Sequence, residues 1–424
     1  SRSARPYVVA TLAREWSAPI IYLTSSGRQA YNVSEQLPVW LENSRRIYRF
    51  AEPTPMFYDR LPWDKTVIQD RIDALQALIY AENTEEQPII VASARALMQR
   101  TMPAQQFRKH SHLIKVGKRY QQNELIQQWL NLGYESVTVI SEAGTFSRRG
   151  GVLDVFPSTA QHPIRIEFFD DEVDTLRTFD LSTQRTIEKI EQVVIVPARE
   201  VFPDDMPQLA RHLEDWFSQR TGLDDVNSLQ QDYDAMLNAQ GFAHLEHYLP
   251  YIYDVPSGLL DYAPDDSLIV VDDRADLSQA ILALQEEAES NRDNNIKTQQ
   301  LPDDFPLPYI TWETLDEDLT RATTLNLSNL VEGKRPFIPN ERFGGQIRSA
   351  MRHIREQREN DRRVVVVTKQ VERMQNIWYE QDASSFVPKM NDVLDLPSAG
   401  EFVFVDGELS SGFVLELESG QLEL

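Results

Sequence analysis

Cysteine is absent from this chain of 424 residues. The absence excludes a disulfide framework and any metal site built on thiolates. A chain without disulfides is compatible with a reducing compartment, so we expect a cytoplasmic protein.

Long apolar segments are missing as well. No run of about 18 uncharged apolar residues exists that could span a bilayer, so we expect no membrane segment. The amino terminus, Ser1–Pro6, lacks a starting Met and a long apolar core, and it is not a complete signal peptide. We expect further residues to precede Ser1.

Basic residues are few for a nucleic-acid binder: 42 Lys and Arg stand against 66 Asp and Glu, for a net charge of −24. Such a charge repels phosphate backbones, whereas nucleic-acid binders usually carry a clustered basic surface. Residues 118–198, with 8 basic and 12 acidic residues, are less acidic than the whole but not basic. We expect weak or no DNA binding.

The length of the chain predicts about three units of 100 to 200 residues each. Short apolar runs dominate most of the chain. Runs without polar alternation are typical of strands buried on both faces of a parallel sheet. Helical patterns at Asp70–Tyr80 and Phe343–Glu359 resemble crossover helices, so the fold class is α/β. The runs are Pro19–Thr24, Pro88–Ser93, Ser267–Asp273, Arg363–Thr368 and Glu401–Asp406.

Between Lys118 and Ala198 the pattern changes to closely spaced alternating segments with turn residues. This predicts an inserted β-rich domain with an antiparallel or mixed sheet, opened by a helix at Asn123–Leu132. Its predicted strands are Ser136–Ile140, Gly151–Phe156, Ile164–Phe169, Thr175–Phe179 and Val193–Val196. Asn291–Pro308 is polar and bears prolines, which indicates a loop. The predicted organisation is an α/β domain (1–117), the insert (118–198), the completing part of the first domain (199–328), a linker (329–342) and a small α/β domain (343–424).

One predicted strand, Ile164–Phe169, places an aromatic residue on the face opposite its other apolar residues. Alternation in Ile164–Phe169 puts Ile164, Ile166 and Phe168 on one face and Arg165, Glu167 and Phe169 on the other. Arg and aromatic residues are enriched at protein interfaces, which favours a protein-binding face. The alternative is a solvated sheet face.

Candidate catalytic and metal sites are incomplete. Leu268–Asp273 has the form of an acidic strand end that holds magnesium, but no phosphate loop with Gly-Lys-Ser/Thr accompanies it, and the turn Thr24–Arg28 lacks both lysine and spacing. A metal shared by His244, Glu246 and His247 is disfavoured by helical geometry, and the acidic run Asp170–Asp174 lacks the glycine of a calcium loop. We expect no catalytic residue, no metal and no cofactor.

Gly133–Pro157, Arg165–Val173 and Val196–Glu200 closely resemble the bacterial transcription-repair coupling factors. The resemblance extends over nearly the whole chain, to the amino-terminal module that is similar to the helicase UvrB and, through Gly407–Val414, to the third domain. It implies an incomplete, helicase-like α/β domain with a degenerate nucleotide site. It also implies that the polymerase-binding and motor domains, with their ATP and Mg, lie beyond Leu424.

In that family the inserted domain recruits UvrA to RNA polymerase stalled at a lesion. The resemblance implies that Arg149, Arg165 and Phe169 contact UvrA. We therefore expect a non-catalytic adaptor in transcription-coupled nucleotide excision repair. The alternative is an ATP-dependent helicase or nuclease lobe related to UvrB, using Val271–Asp273. A further hypothesis concerns the full-length protein of which this chain would be the amino-terminal part, here called the parent. In it, the same face would pack against the parent's own carboxyl-terminal region until RNA polymerase is bound.

Overall fold

The computed structural model describes residues 2–41, 45–83, 87–218, 226–328, 337–341, 343, 345–381, 389–390, 397–417 and 420–423. Within these ranges the helices are α1 (Arg5–Glu15), α2 (Gly27–Gln36), α3 (Lys65–Ile79), α4 (Ala94–Met98), α5 (Ala104–His110), α6 (Gln122–Asn131), α7 (Met206–His212), α8 (Glu214–Ser218), α9 (Val226–Leu237), α10 (Leu249–Ile252), α11 (Arg274–Lys297), α12 (Trp312–Arg321), α13 (Ile347–Glu359) and α14 (Val371–Gln381). The strands are β1 (Ile20–Thr24), β2 (Ile47–Phe50), β3 (Ile89–Ser93), β4 (His112–Lys115), β5 (Glu135–Ser136), β6 (Thr145–Arg149), β7 (Val152–Phe156), β8 (Ile164–Phe169), β9 (Glu172–Phe179), β10 (Thr186–Ile190), β11 (Gln192–Ile195), β12 (Leu268–Val271), β13 (Thr324–Asn326), β14 (Phe337–Pro339), β15 (Arg363–Val367), β16 (Lys389–Met390), β17 (Phe402–Val405), β18 (Phe413–Leu417) and β19 (Gly420–Glu423).

The first sheet is parallel throughout, with the strand order β13-β12-β1-β3-β2. Every residue of β1 and β3 is buried. Ile21 and Leu23 of β1 enter the apolar cluster that contains α3, whereas Ile20 and Tyr22 enter the cluster that contains α1. Both faces of the sheet are covered, which explains why its strands are unbroken apolar runs. The predicted α/β class is confirmed.

The second sheet is β-rich and mostly antiparallel, with the order β10-β9-β8-β7-β6-β5. Helix α6 covers one side of it, and Trp129 of that helix meets Phe146 of β6 with ring centroids 5.5 Å apart. The predicted strand Ser136–Ile140 is wrong, since only Glu135–Ser136 pairs with β6. After the bond from the Val137 amide to the Phe146 carbonyl (2.9 Å), the chain runs beside β6 without forming a ladder.

Strand β11, predicted as part of the insert's sheet, pairs instead with β4 in a separate two-stranded sheet. Because β4 precedes the insert and β11 closes it, this pairing brings the two ends of the insert together. The domain boundaries themselves stay a prediction.

A third, mixed sheet has the order β14-β18-β19-β15-β17-β16. On one side Trp378 and Met351 form a cluster of their own with the strands, and on the other side Phe413 and Phe337 pack with Trp40 and Tyr7 of the first unit. The predicted linker 329–342 therefore ends earlier than expected, because its residues 337–339 form β14. Residues 329–336 lie outside the described residues.

Helix α11 corrects another expectation. The segment 291–308 was expected to be a loop, but the helix continues to Lys297. The Asn295 amide donates to the Tyr58 carbonyl (3.1 Å), and Ala288, one turn before the predicted boundary, is buried. These tertiary contacts stabilise a polar helical end that local composition does not favour.

A buried ion pair joins α3 to the chain that leaves the insert. Arg71 donates through Nε to Glu200 Oε1 (2.5 Å) and through Nη2 to Oε2 (3.2 Å), and both side chains are almost fully buried. The Thr101 hydroxyl donates to the same carboxylate. The guanidinium also lies over the rings of Phe50, at 4.1 Å, and Trp63, at 5.1 Å.

Candidate protein-binding face of the inserted sheet

The strands β6 to β10 have one side packed on the core and one side directed away from it. Residues directly opposite each other on antiparallel strands share a side. The side that includes Leu153, Ile166 and Leu176 is buried. We call the other side the outer face; it carries Arg149, Val152, Asp154, Arg165, Glu167, Thr175, Arg177 and Lys189.

Phe169 ends β8 and is 80% exposed. The predicted alternation is seen in this strand: Ile164 and Ile166 are buried, while Arg165 and Glu167 are only partly buried. Phe168 is partly buried and packs against the core. A tight turn at Asp170, whose φ is 58°, follows at once, so the Phe169 ring stands at the end of the outer face.

Arg149 lies at the same end of the sheet. It ends β6 beside the turn residue Gly150, whose φ is 61°, and the Phe168 amide donates to the Gly151 carbonyl (2.9 Å) across the two turns. The Arg149 side chain is exposed, and its Nη2 lies 3.4 Å from the Thr138 carbonyl oxygen. Its charge is thus accessible from outside.

Arg165 is held by its own chain. Its Nε and Nη2 donate to the two oxygens of Asp154 (2.7 and 2.8 Å), and Nη2 also reaches Gln184 (3.2 Å). The guanidinium lies over the ring of Phe179, at 4.5 Å, and only 19% of the side chain is exposed. The hydrogen bond to Asp154 raises the pKa of Arg165 above its usual value.

The aromatic neighbour of Arg165 is therefore Phe179 and not Phe169, which is four residues and about 13 Å further along the strand. An ordered guanidinium with an internal partner orients Asp154 and the sheet surface more than it offers a new ion pair. That Arg165 contacts UvrA stays a prediction.

The sequence interpretation missed a second ion pair on the outer face. Arg177 donates to Glu167, which also accepts from the Thr175 hydroxyl (2.8 Å). Lys189 lies opposite Arg177 on the neighbouring strand. On its strands the outer face thus has four cationic side chains and three carboxylates, the third being Glu172 opposite Phe169, in a chain whose net charge is −24. Alternation within the predicted strand Thr175–Phe179 fixes the side of that strand on which Arg177 lies. The sequence could not show which residues of the neighbouring strands lie beside it.

Residues 113–201, which contain this whole face, match the family model described as the UvrB interaction domain. Along 98% of its length the chain is similar to transcription-repair coupling factors: it is 26% identical over 440 residues to that of Bacillus subtilis, 25% over 445 to that of Staphylococcus haemolyticus and 26% over 439 to that of Staphylococcus aureus. The resemblance seen in the sequence is confirmed. The chain spans 36% of the length of each of these relatives.

The acidic residues at the end of β12, in the first sheet, already have hydrogen-bond partners within the chain. Asp272, directly after β12, accepts hydrogen bonds from the Arg5 guanidinium and from the Tyr22 hydroxyl. Asp273 instead caps α11, accepting from the amides of Ala275 (3.1 Å) and Asp276 (3.2 Å). Burial, followed by the charge of Asp272, raises the pKa of Tyr22 well above its usual value. Both carboxylates thus have partners within the chain.

The histidine candidates also serve structural contacts. Leu245–Tyr248 is a short 3₁₀ turn, so His244 and His247 do not lie on one α-helix face. Glu246 accepts two hydrogen bonds from Arg199 (both 2.7 Å). The acidic residues Asp170 and Asp171 form the tight turn between β8 and β9. In the described ranges no three His, Asp or Glu side chains are placed to hold a metal ion.

The helices within the same ranges are too short or too polar to span a bilayer.

Proposed function

We propose that this chain is the amino-terminal part of a transcription-repair coupling factor and recruits UvrA to lesion-stalled RNA polymerase in transcription-coupled nucleotide excision repair. The observation that carries the proposal is the 80% exposed ring of Phe169 on a cationic sheet face, within the segment that matches the UvrB interaction domain. A solvated face would not need an aromatic residue there.

The three proposed contact residues have different roles. Phe169 is the apolar anchor, since burying its ring on a partner removes the largest exposed apolar side chain of the face. Arg149 is an accessible cation at the same end of the sheet as Phe169 and pairs with a carboxylate of UvrA. Arg165 positions Asp154 and supports the surface.

The test is a calorimetric titration of purified UvrA into this chain. We expect a dissociation constant in the micromolar range or below, which corresponds to about −8 kcal/mol or better. A pull-down with Arg149, Arg165 and Phe169 replaced in turn ranks their contributions, with Phe169 first. The proposal is wrong if the folded wild-type chain shows no binding at tens of micromolar.

We further propose that this part of the protein is non-catalytic, with a helicase-like but degenerate α/β domain. Support comes from Asp272, whose two oxygens accept from Arg5 and Tyr22, and from the missing phosphate loop. An intact magnesium site would need a carboxylate available to the ion.

A titration with MgATP separates this proposal from the helicase or nuclease alternative. We expect no heat of binding up to millimolar MgATP and no phosphate release. The Arg5→Ala variant, which releases Asp272, should behave in the same way, because residues 1–424 contain no Gly-Lys-Ser/Thr loop to bind the phosphates. Micromolar affinity or turnover by the wild-type chain would favour the enzyme.

The remaining length of the parent protein is proposed to supply the polymerase-binding part and the ATP-driven motor with its Mg. We propose a cytoplasmic location, and weak or no DNA binding by this chain. The parent's carboxyl-terminal region is proposed to cover the outer face, because an exposed anchor such as Phe169 benefits from cover when unused. Deleting that region from the full-length protein should then raise UvrA affinity, and unchanged affinity would contradict the cover.

A further inference from the structure

The borders of the outer face carry two more exposed apolar residues. Val139 is 54% exposed and Ile187 is 50% exposed. Isolated exposed apolar residues are ordinary. The segment 135–190, however, has only three exposed large apolar residues, namely Val139, Phe169 and Ile187, and all three border this one face. Their location beside a single face indicates a common role.

Val139 follows β5, beside the part of β6 (Ser147–Arg149) that β5 does not pair with. The carbonyl of its neighbour Thr138 accepts hydrogen bonds from the Ser147 hydroxyl (3.0 Å) and from Arg149 Nη2 (3.4 Å). Ser147 and Arg149 alternate on the outer side of β6, so these bonds hold the segment against that side. Val139 is thereby presented beside the accessible cation Arg149.

Ile187 lies on the opposite border, in the edge strand β10. The register shifts between Thr186 and Glu188, so Ile187 occupies a bulge. Ile190 faces the core opposite Leu176, and Lys189 lies opposite Arg177 on the outer face. Ile187, between Thr186 opposite Phe179 and Glu188 opposite Thr178, is therefore an unpaired, half-exposed residue at this border of the sheet.

The outer face is small compared with a standard protein–protein interface. The four strand spacings from β6 to β10 span about 19 Å, and the six residues from the row of Ile187 to Phe169 span about 20 Å. A standard interface buries about 800 Å² on each partner. A partner of that size centred near Arg165 covers the whole width of the face, including both borders.

We propose that UvrA covers the outer face from border to border, with Val139 and Ile187 as apolar contacts additional to Phe169. This inference rests on the proposed function. The two border strands of the face carry the exposed cations Arg149 and Lys189, whereas Arg165 and Arg177 between them are already paired with carboxylates of the chain. The matching surface of the partner is therefore acidic opposite the borders, with apolar patches facing the three apolar residues.

The experiment measures UvrA affinity of Val139→Ser and Ile187→Ser by the same calorimetric titration. Each change should raise the dissociation constant about three- to tenfold, because each removes a half-exposed aliphatic side chain from the contact. Leu113→Ser and Leu130→Ser are matched controls: these residues are 42% and 38% exposed, and they lie on β4 and α6, away from the outer face. Both controls should bind as the wild type does.

Two readouts keep the inference separate from the proposed function. Wild-type affinity of both border variants, together with weakened binding by Phe169→Ala, would overturn the wide footprint and leave the proposed function intact. Wild-type affinity of Phe169→Ala as well would rule out the outer face as the contact surface, whereas no binding by the folded wild-type chain would overturn the proposed function itself. If a serine variant loses its cooperative melting transition, Val139→Thr and Ile187→Thr preserve β-branching and give the same comparison.

Discussion

Replacing Phe169 with alanine should weaken UvrA binding about thirty-fold, which corresponds to about 2 kcal/mol. The ring is 80% exposed, so its removal deprives the chain of little internal packing. The neighbouring Phe168 supplies the core contact at this end of β8 and is left in place. The loss therefore falls on binding and not on folding.

Calorimetry with purified UvrA measures the affinity, and thermal melting checks the fold. Tyr31→Ala is a suitable control, because Tyr31 is 51% exposed on α2, in the first unit and away from the β-rich sheet. We expect Tyr31→Ala to bind as the wild type does. An unchanged affinity of Phe169→Ala with an unchanged melting temperature would show that this ring is not the anchor.

Replacing Glu200 with alanine should destabilise the chain by about 3–5 kcal/mol, since it leaves a buried guanidinium without its counter-charge. Arg71 is fully buried and donates two hydrogen bonds to Glu200. Neither water nor another carboxylate replaces that partner without rearranging the packing around Phe50 and Trp63. Because Arg71 belongs to α3 and Glu200 follows β11, the loss affects the junction between the first sheet and the insert.

Chemical denaturation followed by circular dichroism measures the free energy of unfolding. Asp316→Ala is a matched control: the Arg274–Asp316 pair has an N–O distance of 2.7 Å, but its side chains are 33% and 43% exposed. Solvent screening limits the effect of Asp316→Ala to about 0–1 kcal/mol. The double variant Arg71→Met with Glu200→Leu should recover much of the loss, as apolar replacements of buried pairs often do.

A shift of the denaturation midpoint by Glu200→Ala no larger than that of Asp316→Ala would contradict this account. If the alanine variant does not fold, Glu200→Gln keeps the shape and removes only the charge. It should still be destabilised well beyond the exposed control.

Several features of the fold could be predicted because they depend on local sequence. Unbroken apolar runs predicted β1, β3, β12 and β17, which are buried along their whole length and so have no polar side. β15 was predicted from a run of the same kind, but only Val364 and Val365 of it are buried. The side on which Phe169 lies followed from the period of two in β8. Both patterns are visible within a few residues.

Other features could not be predicted because residues distant in sequence create them. The end of α11 depends on Asn295 meeting the Tyr58 carbonyl, more than two hundred residues away. The predicted strand Ser136–Ile140 has the right alternation, but most of it finds no ladder partner on β6. A local pattern permits a strand, and only an available partner forms one.

The sequence by itself determined the parallel α/β class and the outward direction of Phe169. Only the tertiary structure decided that Arg165 is bound to Asp154, that Arg177 and Lys189 share its face, and that Val139 and Ile187 border it. The physical reason is strand register: alternation places a side chain on one side of its own strand, whereas turns and bulges decide which side chains of neighbouring strands it meets.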